Sequence, residues 1–196
     1  MTFNILIAGV GGQGTVLASR LIASAAMKRG LNVRTTETIG MAQRGGSVIG
    51  HTRVGDDVFS PLIPVGAAHV LLAFEPAEAV RNLHYLAGDG TLIVCDSVIK
   101  PITVAMSGEK YEAETMTDYL KTAVARTIII DGQKIKEQCG KTLNVALLGV
   151  VAQSGAFPFD SDALVETIEG MSHYREQNLI SFELGRKLYD EHARQP

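Results

Sequence analysis

The sequence predicts an α/β fold of three layers, α/β/α, with a mostly parallel, partly mixed central sheet, a Rossmann-like start and a helical C-terminal third. Three observations carry this. The chain opens with an apolar strand, a glycine-rich turn, a helical pattern and a second strand, all by residue 36. A second strand–helix–strand unit spans residues 69–95, and helical apolar spacing dominates beyond residue 131. Strands alternating with helices imply a parallel sheet covered on both faces.

The first strand, Ile5-Leu6-Ile7-Ala8, runs into Gly9-Val10-Gly11-Gly12-Gln13-Gly14-Thr15. Gly9, Gly11 and Gly14 fit the G-x-G-x-x-G spacing, and Gly12 is an extra glycine. Glycines admit positive φ and let a ligand approach the backbone. The helix that follows, Thr15 to Arg29, points unpaired N–H groups and its positive dipole end at the same spot. That makes a cradle for a phosphate or carboxylate. The plainer reading is a tight turn that binds nothing. Gly30 closes the helix, and a second strand follows at Leu31–Thr36. A Rossmann unit wants an acid at the end of that strand for ribose hydroxyls. Here Arg34 and two threonines precede Glu37, which favours a phosphate over NAD.

Glu37 to Gly46 forms a second glycine-rich loop, with Gln43 and Arg44 beside Gly45 and Gly46, at a strand's carboxyl end where α/β sheets bind ligands. Ser47–Val54 reads as a strand, and Gly55-Asp56-Asp57 as a hairpin turn returning through Val58-Phe59-Ser60, which makes the sheet mixed. His51 and Arg53 share one face, read as solvated or interfacial rather than catalytic. After the connector Pro61–Pro64, His69–Phe74 is a buried strand. Glu75-Pro76 starts a helix with Ala79, Val80, Leu83 and Leu86 inside. Gly88-Asp89-Gly90 turns the chain into the strand Thr91–Cys95, with Asp96 as a cap.

Further on, Ile102–Ala105 reads as a weak strand, Glu112–Val124 as a helix and Thr127–Ile130 as a strand. A helix holding Ile135 and Lys136 ends near Gly140. Asn144–Gln153 is apolar on most sides, so it is buried or lies at an interface. Asp160-Ser161-Asp162 caps a helix through Ile168, and Arg175–His192 is a long polar helix.

Residues 1–196 read as a single domain with 46% hydrophobic and 20% charged residues. A net charge of −3 gives no case for nucleic acid, and no apolar run is long enough to span a membrane. Cys95 and Cys139 cannot house an iron–sulfur cluster, and Cys95 in its apolar strand reads as an inert thiol. Met1-Thr2-Phe3 leads straight into the first strand, so a cytoplasmic protein is expected. Gly88-Asp89-Gly90 lacks the downstream Asn–Asn pair of a thiamine site and reads as a turn. No catalytic residue and no metal ligand set is expected in this chain.

Three segments in order carry a family resemblance: Gly9-Val10-Gly11-Gly12-Gln13-Gly14, Gly40-Met41-Ala42-Gln43-Arg44-Gly45-Gly46-Ser47-Val48, and Leu71-Leu72-Ala73-Phe74-Glu75-Pro76. The chain resembles the gamma-type subunit of 2-oxoacid:ferredoxin oxidoreductases, most of all the small (beta) subunit of the indolepyruvate branch, with which the Met41–Ser47 run is associated. Weaker agreement continues through Asn144–Gly149 and Asn178–Gly185. The resemblance implies a subunit inactive alone. A large partner would carry thiamine diphosphate and 4Fe-4S clusters. The reaction would be oxidative decarboxylation of an aryl pyruvate, with coenzyme A as acyl acceptor and ferredoxin as electron acceptor in anaerobic metabolism. With it comes the expectation that Gly9, Gly11, Gly12, Gln13 and Gly14 hold an anion of coenzyme A. Thr15 would add its hydroxyl, and Gln43, Arg44, Gly45 and Gly46 further donors. Two other readings stand beside it: a free-standing nucleotide- or flavin-binding protein, and a purely structural interaction module. Self-association of the isolated chain through Asn144–Val151 is also expected.

Overall fold

The computed structural model describes residues 2–38, 46–99 and 111–194. The expected strand at 102–105, and Gln43, Arg44 and Gly45 of the second glycine loop, lie outside the described residues.

Six strands form one sheet: β1 Phe3–Val10, β2 Val33–Glu37, β3 Ser47–Val54, β4 Ala68–Ala73, β5 Leu86–Cys95 and β6 Thr127–Ile130, in the order β2-β3-β1-β4-β5-β6. The helices are α1 Thr15–Lys28, α2 Pro76–Asn82, α3 Ala113–Ala123, α4 Gly132–Cys139, α5 Leu143–Gln153, α6 Asp162–Glu169 and α7 Arg175–Ala193. β1, β4, β5 and β6 run parallel, and β3 is antiparallel to both β1 and β2. Ile5, Ile7, Val70, Leu72 and Ile93 face one core with α1 and α4–α7. Leu6, Ala8, Leu71 and Leu92 face a second core with α2 and α3. The three layers follow from strands apolar on both faces, which need cover on both.

Several expectations are corrected. The mixed sheet does not come from a hairpin, because Val58–Ser60 forms no strand. β3 instead inserts between β1 and β2, pairing Phe3 with Val54 and Val10 with Ser47. A Rossmann start would set β2 directly beside β1. Nor are His51 and Arg53 a solvated face. His51 is buried, and its Nδ1 accepts the Ile63 N–H at 3.2 Å. Arg53 donates to Asn4 Oδ1 at 2.9 Å and to the Ser60 carbonyl at 3.0 Å. Together they fasten the connector over the sheet, and burial pushes the His51 imidazole below its ordinary pKa, which favours the neutral form.

In α2 the inner face is Pro76, Glu78, Ala79 and Asn82, while Val80 is exposed and Leu86 already belongs to β5. Gly88–Gly90 is no turn between elements. β5 runs through it, with a register shift where Ala68 pairs with Leu86 but Val70 with Thr91. Asp96 does cap, but across the chain: its Oδ1 accepts the Gly132 N–H at the start of α4 at 2.7 Å.

Every residue of α5 from Asn144 to Val151 is buried. A side chain on Gly149 would overlap the Phe182 carbonyl, and one on Gly185 the Ala146 carbonyl, so α5 and α7 meet backbone to backbone. The apolar surface expected to drive self-association is therefore interior.

Candidate functional site

The glycine turn sits at the carboxyl edge of the sheet, between β1 and α1. Gly12 and Gly14 take φ of +93° and +83°. A Cβ on Gly9 would lie 2.8 Å from Gln13 Oε1 and 2.9 Å from Thr15 Cγ2, so the strand must be bare there. Gly12 is exposed, and a Cβ on it would meet nothing within 4 Å. Gly14 is hemmed in: its Cβ would fall 2.6 Å from Asn144 Nδ2.

The expected site residues divide by what their polar groups already do. The Gly11 N–H donates to the Gly46 carbonyl at 2.9 Å, which brings the turn and the start of β3 together. Gln13 is buried and its amide is engaged twice: Oε1 accepts the Val10 N–H at 2.6 Å, and Nε2 donates to the Phe74 carbonyl at 3.1 Å. It braces the turn rather than reaching outward. Thr15, buried as the first residue of α1, sets its γ-methyl toward Gly9. The outward-facing part is the start of α1. No side chain caps it and no acidic residue lies in its first turn. The first N–H groups of such a helix lack intrahelical partners and attract an anion.

Arg34 plays no part here. It pairs with Arg53, which pairs with Asn4, so it lies level with the start of β1. That is six residues below Val10, about 20 Å of strand.

The sequence missed three polar residues of this edge. Asn144, at the start of α5, donates Nδ2 to the Gly14 carbonyl at 3.2 Å. Glu75 is buried and caps α2, accepting the Glu78 N–H at 3.2 Å. Burial pushes its carboxyl up to about 7; Glu78 pushes the same way, while the accepted N–H bonds and Arg81 oppose. Its second oxygen has no hydrogen-bond partner among the described residues. Glu78, also buried, accepts from Ser47 Oγ at 2.5 Å and pairs with Arg81. The signal for Glu75 was present in Glu75-Pro76, a cap followed by a first-turn proline. Nothing local marks Asn144.

Cys95 ends β5, and burial pushes its thiol up to about 12, so it offers no thiolate. Among the described residues no group of three or more His, Cys, Asp or Glu could hold a metal ion. No helix among them is long and apolar enough to cross a membrane. The arrangement presents an uncapped helix start, of a kind suited to an anion, above a braced turn.

Residues 4–188 match the family model described as pyruvate ferredoxin/flavodoxin oxidoreductase. The chain is 42% identical over 171 residues to indolepyruvate oxidoreductase subunit IorB of Archaeoglobus fulgidus, covering 86% of this chain and 85% of that one. It shares its fold with the gamma subunit of a keto/oxoacid ferredoxin oxidoreductase from Geobacter sulfurreducens (TM-score 0.68, 20% identity, 96% of this chain and 99% of that one). The same fold forms 31% of a longer chain in 2-oxoglutarate:ferredoxin oxidoreductase from Magnetococcus marinus, solved with 2-oxoglutarate, coenzyme A and succinyl-CoA bound (TM-score 0.70, 18% identity, 97% of this chain).

Proposed function

The chain belongs to the pyruvate ferredoxin/flavodoxin oxidoreductase family, and from that premise we propose that it is the small subunit of a cytoplasmic, indolepyruvate-type 2-oxoacid:ferredoxin oxidoreductase and helps to hold coenzyme A. In this reading the large partner subunit supplies thiamine diphosphate and 4Fe-4S clusters. The complex decarboxylates an aryl pyruvate oxidatively, passes the acyl group to coenzyme A and the electrons to ferredoxin.

The observation that carries the coenzyme A part is the start of α1, uncapped and free of acids above a turn braced by Gln13. The exposed Gly12 leaves room above the backbone, so a phosphate can reach the helix N–H groups without meeting a side chain. Gly14 and Thr15 supply those N–H groups, and Gly9, Gly11 and Gly46 shape the turn. The solved relative from Magnetococcus marinus, with coenzyme A bound, supports the ligand class. Against a ribose-binding dinucleotide site stands β2, whose Glu37 pairs with Gly50, level with Ile7 and short of the turn.

The test is co-expression with the neighbouring large subunit, followed by viologen reduction with an aryl pyruvate and coenzyme A. Activity that needs both chains, with a coenzyme A KM raised by Gly12→Val, supports the reading. A chain that finds no partner and purifies with its own bound nucleotide overturns it.

A further inference from the structure

We propose that Asn144 is the positioning residue that sets the anion affinity of the glycine turn, which it contacts across 130 residues of sequence. The inference rests on the reading of the turn as an anion site. Asn144 stands at the start of a helix whose residues through Val151 are buried and otherwise apolar, and it is itself 4% exposed. A buried amide in such surroundings costs stability unless it is hydrogen-bonded. Its donor goes to the Gly14 carbonyl, which also accepts the Ala18 N–H at 3.1 Å.

The consequence follows from peptide geometry. The Gly14 carbonyl and the Thr15 N–H belong to one planar trans group and point in opposite directions. Two donors on the carbonyl, one from α1 and one from α5, fix that plane. The Thr15 N–H is thereby held outward at the head of α1. Gly14 needs its left-handed backbone for this, and the Asn144 side chain fills the volume that any Cβ would take. α5 brings a second uncapped helix start to the same place, with no acid in its first turn. Asn144 therefore orients a donor without adding a negative charge beside it.

Asn144→Ala and Asn144→Asp separate orientation from charge. The alanine variant keeps the fold, because Ala18 still satisfies the Gly14 carbonyl. Titration calorimetry on the full chain co-purified with its large subunit uses coenzyme A and inorganic pyrophosphate as probes. The alanine variant should weaken both by about tenfold, the scale of losing one well-placed donor to a charged group. The aspartate variant should weaken both further at pH 8. Its deficit relative to wild type should shrink as the pH falls to 5, because a protonated carboxyl can again donate to Gly14. A purely structural role would not give that pH-dependent ratio. Wild-type affinity in both variants at every pH overturns the role of Asn144 alone. Wild-type protein that binds neither probe overturns the anion site, and this proposal with it.

Discussion

Gln13 ties the glycine turn to the neighbouring strand by donating its side-chain Nε2 to the carbonyl of Phe74 at 3.1 Å, while its Oε1 holds the Val10 N–H. A residue that looks like a ligand donor in sequence is thus the brace of the turn.

Gln13→Ala should cost about 2–4 kcal/mol, since it leaves the buried Val10 N–H and Phe74 carbonyl without these partners. Gln13→Glu keeps the acceptor but loses the donor to Phe74 and buries a carboxyl. It should be at least as damaging. Urea unfolding with an unchanged m-value is the check.

Gly12 and Gly14 share a left-handed backbone but differ in surroundings, and that difference can be measured. Alanine at either position carries the conformational penalty of about 1–2 kcal/mol. At Gly14 it must also displace Asn144, so its unfolding midpoint should fall clearly further. Gly12→Ala should fold well, and yet lose anion affinity, because its methyl enters the open space above the turn. Equal stabilities for the two variants would contradict this packing.

The α5–α7 contact gives a third expectation. Gly185→Ala places a methyl against the Ala146 carbonyl in a seam with no slack. It should cost about 1–3 kcal/mol or more by forcing the helices apart. Gly170→Ala, where a Cβ would find ordinary contacts no closer than 3.5 Å, is the control and should be near neutral. Thermal melts of the two variants side by side decide it.

What the sequence made legible was local. β1, the turn and α1 could be read because one apolar run, three glycines and a row of small helix residues each point the same way. α5 could be read as buried because it has no polar face. Pairings distant in the chain could not be read. The insertion of β3 is set by registers such as Phe3 with Val54. Val58–Ser60 looked like its hairpin partner only because a turn signal preceded it. The connector goes elsewhere because His51 and Arg53 take its backbone groups. In the site, Gln13 and Asn144 owe their roles to partners 61 and 130 positions away. Glu75 and Glu78 are not legible as site residues because acids at a helix start usually face water, whereas here both are buried and Ser47 donates to Glu78.

The salt-bridge cluster at Arg29 makes a pH-dependent contribution to stability on the acid side. Arg29 donates to both oxygens of Asp160 and to Glu166. Its guanidinium holds the Asp160 carboxyl well below the usual range and lowers Glu166 as well. A carboxyl depressed in the folded state contributes stability above its unfolded pKa, and that contribution is lost as the pH falls through the folded value. Arg29→Gln should therefore lower the melting temperature at pH 6, and by less at pH 2, where part of the contribution is already lost. Because all three groups lie at the surface, high salt should shrink the difference.

Glu75 acts in the opposite sense and over a different range. Its folded carboxyl titrates near 7 against an ordinary value of 4.5. Between those two values the folded chain holds a proton that the unfolded chain has released. Stability from this group is present below about pH 4.5 and declines as the pH rises through 7. Burial is the main cause of the raised value; of the charged groups on α2, Glu78 raises it and Arg81 lowers it. Glu75→Gln keeps a side-chain oxygen for the Glu78 N–H and removes the titration. Its melting temperature should match wild type near pH 4 and exceed it at pH 8, with the gap opening between about pH 4.5 and 7 and staying level above that. A gap that is constant across the range would mean that Glu75 is ionised throughout.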